Sequence, residues 1–186
     1  MMNRTGAPLA LAFALALPLA CSASPKADTT PRGQVMSLLL ARHQLPVQKQ
    51  FEAASPEAPA ILKQVVKDAS VPDFQRYAAY EALGYWPDDE VFDLYLAAIA
   101  KEQAEGQRHR VMRYLAQSFA ERSVTPLAAA LRDPDPQIRI TAATALADVP
   151  GAKGQAAINE ALKWESNKVV REKLEALQKN GGVQIQ

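Results

Sequence analysis

Four stretches of the chain share one pattern at nearly constant spacing, and this repetition constrains the fold more than any other feature. Asp73–Gly84, Gln107–Ser118, Pro136–Asp148 and Asn167–Lys179 align with one another. Arg76, Arg108, Arg139 and Arg171 recur at steps of 32, 31 and 32 residues. Leu83, Leu115, Leu146 and Leu177 recur at steps of 32, 31 and 31. Between the aligned segments lies one further helical stretch each time: Asp88–Ala104, Val124–Arg132 and Ala152–Lys163. The unit is therefore a pair of helices about 31 residues long. Such a pair buries its apolar face only against its neighbours, so the fold is a stack.

From Gln34 onward the apolar residues keep helical spacing, and the breaks between them carry Pro, Gly, Asp or Asn. The pattern predicts helices at about 34–44, 47–54, 57–69, 73–85, 88–104, 107–122, 124–132, 136–148, 152–163 and 167–179. Short helices on short links pack antiparallel to their neighbours. Eight glycines and few β-branched runs argue against a sheet protein.

The best-formed unit runs from Val124 to Asp148. Leu127 and Leu131 lie on its first helix, Asp133 and Pro134 in the turn, and Ile138, Arg139, Ala142, Ala143, Ala145 and Leu146 on the second. This unit resembles HEAT-like repeats of the short kind also found in phycobilin lyases. The resemblance covers roughly residues 56–179. It implies an all-α fold, a right-handed α-solenoid of antiparallel helix pairs, over residues 34–180. It also implies a structural role for the recurrent arginines Arg76, Arg108, Arg139 and Arg171, each tied to an aspartate or carbonyl in an inter-helix turn. Asp133 and Asp135 are available for that. The competing use of these arginines is a basic stripe for an acidic partner.

The alanines fit this architecture. Of the 35 in the chain, several sit where helices would cross, as at Ala142, Ala143 and Ala145. Alanine has the highest helix propensity and loses no side-chain entropy. Lys168–Lys179 is richer in Lys, Glu and Gln, as a capping unit with a polar outer face requires. Residues 181–186 read as a disordered tail.

The N-terminus reads as an address. Met1–Gly6 is polar with one charge, Arg4, and Ala7–Ala20 is almost wholly apolar. That apolar run is too short to span a membrane and fits a secretory signal peptide over residues 1–20. Leu17-Pro18-Leu19-Ala20-Cys21 resembles the lipobox of bacterial lipoproteins, in which the cysteine becomes the first mature residue and carries lipid. Pro18 and Leu19 depart from the usual residues, and ordinary cleavage after Ala20 or Ala23 is the alternative. An exported chain with a single thiol favours lipid on Cys21. Residues 21–33 follow as a flexible tether. Ser22 and Ala23 lack the aspartate that retains enteric lipoproteins at the inner membrane, so the outer membrane, facing the periplasm, is expected. Without residues 1–20 the chain has 20 basic and 20 acidic side chains, which argues against nucleic acid as a partner.

One cysteine and two histidines, His43 and His109, argue against a metal site, and no cofactor is expected. There is no Gly-rich phosphate loop and no Gly-x-Ser-x-Gly elbow. Asp88-Asp89-Glu90 reads as a helix start whose acids complement the macrodipole. The densest basic patch is Arg108-His109-Arg110, with Arg113 one turn on, and His109 there reads as an exposed helix residue. Tyr77, Tyr80, Tyr85, Trp86, Phe92 and Tyr95 form an aromatic cluster that reads either as packing between units or as a binding feature. Tyr77, Tyr80, Arg108, His109 and Arg110 are the candidate partner-binding residues, since in HEAT-like solenoids the second helix lines the concave face.

The leading functional expectation is a non-enzymatic scaffold or adaptor holding an envelope protein or peptide on that face. The alternative is an accessory enzyme or ligand carrier with a pocket among the aromatics of residues 74–95.

Overall fold

A computed structural model describes residues 28–41 and 45–181. Residues 1–20, Cys21, most of the tether, His43 and the tail from residue 182 lie outside the described residues. Those that are described form ten α-helices and one 3₁₀ turn, Ala120–Ser123, with no strand among them. The helices are α1 (Pro31–Leu38), α2 (Gln48–Ala54), α3 (Ala58–Lys67), α4 (Asp73–Leu83) and α5 (Asp89–Ile99). They continue as α6 (Glu105–Phe119), α7 (Val124–Ala130), α8 (Pro136–Ala147), α9 (Ala152–Leu162) and α10 (Lys168–Gly181). The first starts at Pro31, earlier than the sequence spacing suggests, because the Thr30 hydroxyl accepts from the Gly33 amide at 3.0 Å and proline is tolerated in a first turn. Arg32 then reaches Asp68 at 3.1 Å, so the stretch expected to be tether is partly drawn onto the stack. None of the described helices is long and apolar enough to cross a membrane.

Helices pair as α3 with α4, α5 with α6, α7 with α8 and α9 with α10, while α1 and α2 pack on α3. The second helices α4, α6, α8 and α10 also touch one another in series. This is an α-solenoid. One register runs through it. The third residue after each repeat arginine is Ala79, Val111, Ala142 or Leu174, and all four are buried. The seventh is Leu83, Leu115 or Leu146, again buried, but Gln178 in the last unit. Leu177 is thus one place off the series and only partly buried. Among the described residues no further unit covers that face of α10, so a polar residue stands there without penalty.

Two glycines shape the link from α8 to α9. Gly151 takes φ 90°, a backbone region that side chains rarely enter, and turns the chain from α8 into α9. A Cβ on Gly154 would run into the carbonyl of Leu146, so only glycine lets α9 start against the end of α8.

The arginines form a ladder through the stack. Arg108 donates from Nε to the Ile99 carbonyl at 3.0 Å and from Nη2 to Asp133 at 2.5 Å. Arg139 grips Glu165 with two bonds of 2.8 and 3.1 Å and donates to the Asp133 carbonyl at 2.8 Å. Each arginine thus reaches the turn of the following unit, 25 or 26 residues ahead. The acids are also turn caps: Asp133 accepts from the Asp135 amide at 2.9 Å and Glu165 from the Asn167 amide at 2.8 Å. Asp135 is not an arginine partner; it caps α8 through the Gln137 amide at 2.8 Å.

At the two ends the ladder breaks for different reasons. The positions 25 and 26 residues beyond Arg76 are Lys101, a cation, and Glu102, which is exposed and makes no ion pair with it; Arg76 instead meets Asp73 on its own helix at 2.5 Å and its buried Nε finds no partner. Among the described residues no unit follows Arg171; it is exposed and meets Glu175 on its own helix, at 3.9 Å. The structural role expected of all four arginines therefore holds for Arg108 and Arg139.

Burial opposes ionisation of Asp133 and Glu165, but the arginine and amide hydrogen bonds outweigh it and hold both carboxyls below their ordinary values. The stabilisation from a depressed carboxylate is whole above its unfolded value and is lost as pH falls through the folded one. Thermal melting should therefore show stability declining as pH drops below the ordinary values of 3.8 and 4.5, with a shallower decline in Asp133→Asn. Removing one partner of an almost fully desolvated pair leaves a buried charge, so Glu165→Ala should cost about 3 kcal/mol in urea unfolding. Arg171→Ala, at an exposed pair, should stay within about 0.5 kcal/mol.

Candidate functional site

Because the second helices pack in series, their free surface is the inner face of the stack. A groove of about 720 Å³ opens at its N-terminal end between α1, α4 and α6. Phe74, Tyr77 and Glu81 come from α4, Arg110 and Tyr114 from α6, and Leu40 from the turn after α1. Phe74 is 57% exposed and Leu40 54%, unusual for large apolar side chains beside a core. The Arg110 guanidinium lies over the Tyr77 ring, 5.2 Å from its centroid. The Tyr114 hydroxyl donates to Glu81 at 2.9 Å. Burial pushes the Tyr114 phenol above its usual range, and the bond to Glu81 adds to this.

A second, shallower groove of about 320 Å³ follows between α6 and α8, lined by His109, Arg110, Arg113, Thr141 and Thr144 among others. His109 is half-buried there and ties the two helices: Nδ1 lies 2.5 Å from the Thr141 hydroxyl and Nε2 3.1 Å from Glu105. The chain of carboxylate, imidazole and hydroxyl is that of a nucleophile and its base. Thr141, however, lies in mid-α8, where the amides are engaged in the helix and cannot stabilise an oxyanion.

The structure separates the five candidate residues. Tyr77 and Arg110 share the first groove, and Arg110 and His109 share the second. Tyr80 is corrected to a core residue: it is 6% exposed, its ring packs edge-on to Tyr95 at 6.1 Å, and its carbonyl accepts the Tyr95 hydroxyl at 2.7 Å. Arg108 is likewise corrected. At 7% exposure it belongs to the ladder and is closed to a partner. His109, expected to be exposed, is instead held between neighbouring helices.

The aromatics of residues 74–95 divide in the same way. Tyr85 and Trp86 pack on Phe51, while Phe92 and Tyr95 pack on Phe119. This interlocked set fills the space between units. Of these aromatics only Phe74 and Tyr77 line the first groove. Phe74 is not among the sequence candidates, although its place two residues before Arg76, opposite the buried Gln75–Ala79 face, could have marked it.

The packing of paired helices with an arginine anchored in the succeeding turn is reflected in the sequence comparison. The model of the family described as HEAT repeats matches residues 93–178. That part of the chain is similar to HEAT repeats. The match spans α5 to α10 apart from its edges, so the first groove lies where the recognised HEAT repeats meet the more divergent helices α1–α4. No curated protein matches the chain.

Core and surface aromatics in these HEAT-like units should respond differently to substitution. Tyr95→Phe removes a buried bond to the Tyr80 carbonyl and should cost about 1 kcal/mol. Phe74→Ala should change stability by less than about 0.5 kcal/mol, as surface substitutions do. Urea unfolding of both variants checks this; a large loss at Phe74 would place it in the core.

Proposed function

We propose that this HEAT-like protein is an exported, lipid-anchored, non-catalytic scaffold that binds a protein or peptide partner on the inner face of its stack. The observation that carries the reading is the groove at Phe74, Tyr77 and Arg110. It offers apolar area, aromatic rings and a guanidinium on a helical scaffold, and aromatic and arginine side chains are the usual interface anchors. Repeat surfaces suit extended contacts of this kind. Helical repeats with a HEAT match support the scaffold part of the proposal.

Support for the address comes from the residue pattern at the N-terminus. The apolar run Ala7–Ala20 and the junction at Cys21 fit export with lipid attachment, followed by a tether that frees the solenoid from the membrane. A diacyl anchor supplies two chains, which is what stable membrane attachment requires.

Two measurements test the proposal. Cys21→Ala should abolish incorporation of labelled fatty acid and move the protein from the membrane to the soluble fraction; an unchanged distribution overturns the anchor. Photo-crosslinking from position 74 in cells, followed by mass spectrometry, should trap an envelope protein, whereas crosslinks from exposed Lys101 should not. Equal yields from both positions overturn binding on the inner face.

A further inference from the structure

The charges around the first groove narrow the chemistry of its occupant, an inference that rests on the scaffold reading and goes one step past it. Among the described residues most cations are already satisfied. Lys63 meets Asp88 and Glu90, at 2.6 and 2.9 Å. Arg122 meets Asp89, Lys153 meets Glu121, and Arg108 and Arg139 are locked into the ladder. Arg132, stacked on Trp164 away from these grooves, has no carboxylate partner among the described residues, and among the arginines that line the two grooves Arg110 and Arg113 share that state. Among the described residues neither has a carboxylate within ion-pair distance, and each lies instead over a tyrosine, Arg110 over Tyr77 and Arg113 over Tyr114, both at 5.2 Å.

These two arginines are one turn apart on α6, both exposed, and Arg110 lines both grooves of the inner face. Stacking on the rings orders the guanidiniums without neutralising them, so their donors remain available for a carboxylate. The nearest acid of the first groove, Glu81, is engaged by the Tyr114 hydroxyl. Asp148 lines the second groove only. Beside the arginines stand the exposed Phe74 and Leu40, an apolar rim that water covers at a cost. A volume of about 720 Å³ admits a few side chains and not a folded domain.

We propose that the groove between α1, α4 and α6 docks a short acidic peptide segment bearing one large apolar side chain. The apolar side chain lies against Phe74 and Leu40, one carboxylate pairs with Arg110 in the groove, and a second reaches past its edge to Arg113, which lines the neighbouring groove. Charge complementarity selects the partner and speeds the encounter, while the apolar contact holds it.

The test is selection of random twelve-residue peptides displayed on phage against the full chain, followed by affinity measurement of the enriched peptides by fluorescence polarisation. Enriched peptides should carry an excess of Asp and Glu around one Leu, Ile, Phe or Trp. Their affinity should fall about tenfold in Arg110→Glu and again in Phe74→Ala. It should also weaken severalfold as salt is raised past the point where the Debye length drops below about 8 Å. Circular dichroism and melting of both variants confirm that the fold is intact.

Basic or neutral enriched peptides overturn the proposal, as does equal binding by the two variants. Peptides that keep their affinity for Phe74→Ala and lose it in Thr141→Arg place the binding in the second groove; this overturns the proposal and leaves the scaffold reading standing. Failure to enrich any peptide also overturns it, and crosslinking from position 74 then decides the scaffold reading on its own. Concentration-dependent self-association in sedimentation that is lost in Phe74→Ala identifies a second copy as the occupant and overturns the peptide.

Discussion

A buried guanidinium bonded to the turn of the next unit holds successive helix pairs in register. Arg108 and Arg139 are taken out of water almost completely, and so are Asp133 and Glu165, which receive them. A buried pair contributes little if its polar atoms are left short, because desolvation can exceed the attraction. Here the shortage is avoided. The arginines also donate to carbonyls of the preceding turn, and the acids also accept turn amides. Asp133 is the node: its carboxylate takes Arg108 and its carbonyl takes Arg139. The apolar layers of Ala79, Val111, Ala142 and Leu174 supply the nonspecific stabilisation. The ladder adds direction and spacing, which apolar contact alone leaves loose.

This division explains how much of the fold is legible in the sequence. A 31-residue period in arginine and leucine marks the same face of the second helix in each unit, so ten helices and their pairing can be read from spacing. Boundaries are harder. Thr30-Pro31 is a cap-and-proline helix start, but it sits inside a polar, Pro-containing run whose composition reads as tether. Leu177 falls into the leucine series by spacing because the last unit keeps the composition of its predecessors but has no neighbour to enforce their register. The structural use of Arg108 and Arg139 is readable, yet the acid that answers each lies in another unit. Glu165, in particular, can be found only by stepping forward from Arg139 by one residue more than the 25 that separate Arg108 from Asp133.

The inner face is less legible, for a geometric reason. Tyr77 and Tyr80 are three residues apart and lie near one another on a helix, yet a helix turn divides them between groove and core. Similarly, Arg108 and Arg110 belong to one basic run in sequence, but two residues are about 200° of helix, so one is buried and the other faces water. Phe74 and Tyr114 complete the groove from positions that no single motif links. What joins them is the packing of α4 on α6, a property of the stack.

The ladder also points only one way. Each arginine is completed by the unit that follows it, never by the one before. A chain shortened from its C-terminal end leaves a desolvated cation without its counter-ion, while one shortened from its N-terminal end leaves an acid that still caps its own turn. The same asymmetry acts during synthesis. A unit leaving the ribosome has its apolar faces before it has its anchor, and Arg108 waits for Asp133 to emerge before the pair can settle. The stack is thus closed from behind, one turn at a time, and its final rung, Arg171, is left facing water.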